Sequence, residues 1–115
     1  MTPTNVELVI LRNLLTNEEF MRRVLPFVKP DYFQGIYKTL FKEAGKFVAK
    51  YNKLPSEEAF SIELNSSNMT DEQFQMSNDI LPQLFTKESS EMDWLLDTTE
   101  KWCQDRAIYL SLIHI

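Results

Sequence analysis

The chain has 115 residues, of which 43% are hydrophobic and 25% charged, with a formal net charge of −5. These values sit near the averages for globular proteins and suit one domain with its own core. The single Cys103 rules out an internal disulfide, and no Cys or His partner stands at metal-ligand spacing, so nothing implies a disulfide-stapled secreted scaffold or a zinc site.

The opening MTPTNVELVILRNLL lacks the basic flank, long apolar core and small-residue cleavage site of a signal peptide, and no apolar run approaches a membrane span. Charge is unevenly spread. Residues 1–54 carry nine Lys/Arg against five Asp/Glu, and residues 55–115 carry three against twelve. Such asymmetry can guide like subunits to pack head to tail, or reflect two differently solvated faces.

Gly occurs only twice and helix-start signals recur, so nearly the whole chain reads as α-helix joined by short polar turns. Thr4 with Glu7 forms a T-x-x-E capping box, predicting a first helix from about Asn5 to Leu15. Thr16 with Glu19 repeats the device for a short helix carrying Phe20, Val24 and Leu25 that stops at Pro26, where the backbone lacks an amide hydrogen. PFVKPDYF then reads as a tight corner.

From about Asp31 or Gln34 to Tyr51, the residues Ile36, Tyr37, Leu40, Phe41, Ala44, Phe47, Val48 and Tyr51 fall on one helical stripe. The opposite face carries Lys38, Lys42, Lys46 and Lys50 at steps of four, either a strip for phosphates or an acidic partner or a solvated helix face.

Pro55 and Ser56 open a further helix with Ala59, Phe60, Ile62 and Leu64 available for packing, and NSSNM is a loop. Thr70 with Gln73 caps the next helix, whose Phe74, Ile80, Leu81 and Leu84 are expected inward, with Pro82 bending it or marking its last turn. Ser90 with Asp93 caps the final helix. There Trp94, Leu95, Thr98, Trp102 and Tyr109 form one stripe, widened by Leu96, Cys103, Ala107 and Leu110. The fold class is all-α, about six helices in one multi-helix domain.

The chain has no Walker pattern and no G-x-G-x-x-G, so no backbone cradle for phosphates is encoded. His114 is the only histidine, and a Cys103–His114 enzyme would need that pair fixed in a pocket. The neighbours Glu57–Glu58 and Asp71–Glu72 each stand in a first helical turn, where negative charge offsets the helix dipole.

DYFQGIYKTLFKEAGKFVAKYNKLPSEEAFSIEL followed by DWLLDTTEKWCQDRAIYL resembles the amino-terminal domain of the DnaB-like replicative helicases of T-even-type phages. The resemblance covers about residues 5–109. It rests on Tyr32-Phe33, Pro55-Ser56, Trp94-Leu95, Thr99-Glu100-Lys101 and Gln104-x-Arg106-Ala107 in order and spacing.

It implies a collar and assembly domain that supports a homo-hexamer around single-stranded DNA and offers a surface to primase, in the cytoplasm of an infected bacterium. ATP, Mg and hydrolysis would belong to a RecA-like domain beyond the chain, and no cofactor, metal or catalytic residue is expected within it. Trp94, Leu95, Thr98, Trp102 and Tyr109 are the candidate interface, expected to be partly exposed and to meet a second hairpin arm and a neighbouring subunit, with Trp94 the more natural core residue of the two tryptophans.

The expected organisation is a helical amino-terminal domain over residues 1–90, the first arm of a helical hairpin over residues 91–109, and foreign sequence over residues 110–115. The tail LSLIHI equals the translation of CTG TCT CTT ATA CAC ATC, the mosaic end used in preparing sequencing libraries, so the native frame is expected to diverge near Tyr109. The alternatives from other classes are a free-standing phage DNA-binding or host-interaction helical protein using the lysine strip, and a small enzyme using Cys103.

Overall fold

A computed structural model describes residues 5–86 and 91–113. Among these the chain forms six α-helices, two short 3-10 turns and no strand: α1 (Val6–Thr16), α2 (Glu18–Val24), α3 (Ile36–Tyr51), α4 (Glu57–Ser66), α5 (Asp71–Leu84) and α6 (Met92–Ile113). The all-α expectation therefore holds.

Local chemistry sets the boundaries. The Asn5 side chain accepts a hydrogen bond from the Leu8 amide and caps α1; Thr4 of the expected capping box lies outside the described residues. Glu7, the other half of that box, instead accepts from the Gln34 amide at 2.8 Å, which pins the entry to α3. The cap expected at Thr16 belongs to Asn17, whose side chain accepts from the Phe20 amide at 3.1 Å. Thr16 is still inside α1 and turns its hydroxyl back to the Arg12 carbonyl at 2.7 Å, so one asparagine ends one helix and starts the next.

The corner is built from 3-10 turns at Leu25–Phe27 and Pro30–Tyr32. Gly35, at φ 58°, then sets the chain into α3, which starts at Ile36, later than the expected Asp31 or Gln34. That left-handed conformation suits glycine and excludes most side chains. At its other end, α3 stops at Asn52 in the left-handed conformation, held by Arg22, which donates to the Asn52 side-chain oxygen and carbonyl, both at 2.8 Å.

The Ser56 cap and the Thr70–Gln73 capping box form as expected, and Pro82 stands two residues before α5 ends at Leu84. The Ser90 cap lies outside the described residues.

The core gathers Ile10, Leu11, Leu14 and Leu15 of α1, Phe20 and Val24 of α2, Val28, Tyr32 and Phe33 of the corner, and Ile36, Leu40, Phe41 and Ala44 of α3. Phe60, Leu64, Leu81, Leu84 and Leu95 close it from the later helices. Two apolar residues expected inside are not: Ile62 is 58% exposed and Phe74 37% exposed. Ile62 lies on the far side of α4 from Phe60 and Leu64, whereas Phe74 shares the Leu81 side of α5 but stands near the helix start, ahead of the buried Ser77, Leu81 and Leu84. Tyr51 is exposed too, because α3 runs past the core at its end.

Candidate functional site

Helix α6 is where the sequence placed its candidate interface. Its 22 residues make a rod about 33 Å long, yet only Leu95 and Thr99 are fully buried. The expected single stripe divides into two faces. Trp94 and Trp102 are eight residues apart, and at 100° per residue that leaves about 80° between them.

The inner face holds Leu95, which is buried in the core, and Trp102, whose ring lies 4.8 Å from Phe33 and meets Tyr32 edge-on at 5.9 Å. Arg106 follows one turn later, donating its Nε hydrogen to the Tyr32 carbonyl at 2.8 Å and a second N–H to the Asp31 carbonyl at 3.4 Å. Lys38 of α3 reaches the Asp31 carboxylate at 2.8 Å, so the corner is held by α3 and α6 together. Leu96, Cys103 and Leu110 pack partly against the core, while Ala107, expected to widen the stripe, is exposed.

On the outer face, Trp94 is 51% exposed, Ile108 61% and Leu112 66%. These three lie within about 40° of one line, since 14 and 18 residues are close to whole numbers of turns. Tyr109 stands beside them, half exposed, with the Arg106 guanidinium 4.8 Å from its ring centre. Thr98 is half-buried between the faces. The two tryptophans thus exchange the roles the sequence suggested: Trp102 is the packed one and Trp94 the open one. Ile108 was missed, although its 14-residue spacing from Trp94 was readable; Leu112 falls in the tail expected to be foreign.

A groove of about 530 Å3 separates α6 from the end of α2, lined by Val24, Phe27, Leu96, Thr99 and Cys103 among others. Burial pushes the Cys103 thiol above its ordinary pKa of 9.0, the opposite of what a thiolate nucleophile needs. His114, its proposed base, lies outside the described residues.

The lysine strip is partly engaged within the chain. Lys38 pairs with Asp31, Lys46 lies 3.4 Å from Glu43, and Lys50 sits 5.2 Å from the Tyr51 ring centre, while Lys42 points to solvent. Among the described residues no group of three or more His, Cys, Asp or Glu is placed to hold a metal ion, and no helix is long and apolar enough to cross a membrane.

No family model matches the chain. Against curated proteins it is 28% identical over 102 residues to the DnaB-like replicative helicase of Enterobacteria phage T4. The match takes in 88% of this chain and 21% of the phage protein, so the chain spans about one fifth of that relative's length. This similarity agrees with the resemblance carried by the Tyr32-Phe33, Pro55-Ser56 and Trp94-Leu95 signatures.

Proposed function

We propose that the chain is an amino-terminal collar domain of a phage replicative DNA helicase, contributing to hexamer assembly and primase contact rather than to chemistry. ATP binding and unwinding then belong to the four-fifths of the relative that this chain does not span.

The observation that carries this reading is the outer face of α6. A solvent-facing helix usually shows charge, whereas Trp94, Ile108 and Tyr109, all ahead of the tail, are substantially exposed. Together they present on the order of 300 Å2 of side-chain surface, and covering it at about 25 cal/mol per Å2 is worth roughly 7 kcal/mol before the costs of association. The reading assigns this face to the return arm of a helical hairpin and a neighbouring subunit. Residues 110–115 remain in it a foreign tail, although α6 continues as helix through Ile113.

Two measurements test it. The source genome should continue the reading frame past Tyr109 into a Walker motif; a stop codon directly after Ile115 overturns the proposal. In the protein made from that longer frame, Trp94→Ser with Ile108→Ser should lower hexamer assembly as seen by sedimentation, and unchanged assembly counts against the α6 face as the contact.

A further inference from the structure

Gly45 stands in the middle of α3, where glycine weakens a helix relative to alanine. A Cβ built on it would meet nothing within 4 Å, and its φ is not positive, so neither packing within the chain nor backbone conformation accounts for a glycine there. It lies on the solvent stripe Lys42, Gly45, Lys46, Ala49, Lys50, at steps of three and one. Two small residues flanked by lysines make a shallow seat that a second helix can approach closely.

Helix α5 carries the complement. Its residues Asp71, Phe74, Gln75, Asn78 and Asp79 line a shallow depression of about 390 Å3, with Phe74, 37% exposed, at its inner edge. Residues 54–86 contain six Asp/Glu and no Lys or Arg, and no ion pair engages Asp71 or Asp79 among the described residues. Asp71 and Asp79 are eight residues apart, as are Lys42 and Lys50, so both helices space their outer charges by about 12 Å.

We propose that α5 of one copy docks on α3 of a second copy, with Phe74 seated over Gly45 and Ala49 and the two aspartates meeting the lysines. The surfaces differ, so the contact is heterologous and can repeat from subunit to subunit around a ring. It rests on the assembly reading and adds to it a charge-dependent contact separate from α6.

The 115-residue chain should self-associate in sedimentation at low salt and lose that association at about 0.5 M salt, where screening acts within about 4 Å. Gly45→Leu should abolish it while raising the melting temperature by about 3–5 °C, because a Cβ there meets nothing within 4 Å and the helix prefers leucine to glycine. Lys42→Glu/Lys50→Glu and Asp71→Lys/Asp79→Lys should each be monomeric alone and associate when mixed in equal amounts.

A chain that stays monomeric at low salt, a Gly45→Leu variant that associates like the parent, or charge variants that fail to rescue each other overturn the proposal. So does single-stranded DNA binding that accounts for the whole lysine dependence. None of these results alters whether the genomic frame continues into an ATPase, and Trp94→Ser/Ile108→Ser should leave this contact intact.

Discussion

Truncating the two tryptophans of α6 should give unequal losses of stability. Trp102 lies between Phe33 and Tyr32, both almost fully buried, at 4.8 and 5.9 Å. Removing a fully buried Trp costs about 3–5 kcal/mol, and aromatic contacts of this kind add about 0.5–1.5 kcal/mol each beyond area. Trp102 retains some exposure, so Trp102→Ala should cost about 2–4 kcal/mol, out of a total on the order of 6–17 kcal/mol for a chain of this length. Trp94 is 51% exposed, and Trp94→Ala should cost about 1 kcal/mol or less. Urea unfolding followed by far-UV circular dichroism measures both without relying on the fluorophore being removed. The expected signature is a midpoint for Trp102→Ala well below that of Trp94→Ala with matching slopes. Equal losses, or a larger one for Trp94, refute the division of α6 into a packed and an open face.

Arg106→Ala should cost about 1–3 kcal/mol because it strands the Tyr32 carbonyl, and Arg106→Lys should not restore it, lacking the fork that reaches two carbonyls; thermal melts of both variants check this. The buried Thr99 hydroxyl has no hydrogen-bond partner among the described residues, so Thr99→Val should raise stability by about 1 kcal/mol, and a loss of that size would mean the hydroxyl is satisfied. Burial raises the Cys103 thiol above 9.0, so the folded chain keeps a proton that the unfolded chain releases. Stability should therefore fall as pH rises past about 9, and Cys103→Ser should make that alkaline slope shallower in urea titrations. The same burial should make alkylation of Cys103 at neutral pH slower in the folded chain than in urea, and a rapid folded-state reaction would revive it as a nucleophile.

Much of the architecture was legible in one dimension because its causes are local. The Ser56 and Thr70–Gln73 caps, the end of α2 just ahead of Pro26, where the chain tightens into a 3-10 turn from Leu25, and the short remainder of α5 after Pro82 follow from backbone donors satisfied or missing within a few residues. The period of α3 placed Ile36, Leu40, Phe41 and Ala44 on one side, where they are buried. The order of aromatic and polar signatures also sufficed to point to a helicase relative. Where two caps competed, at Thr16 and Asn17, the pattern chose the wrong one, because the outcome depends on which helix keeps the threonine in its last turn.

Tertiary structure decided which side of each apolar helix would be covered. Ile62, Phe74 and Trp94 are as apolar as Phe60, Leu81 and Trp102, and only the placement of neighbouring helices leaves the first three open. Periodicity tells which residues share a face and is silent on which face meets a partner. Helices α1, α3 and α5 pack closely on one another, while α6 makes its main contacts with α2 and the corner, so a 22-residue helix that looks continuous in sequence buries only Leu95 and Thr99 fully and leaves much of its length at the surface. Burial depends on what arrives from distant parts of the chain, and that sum is fixed only when all the helices are in place.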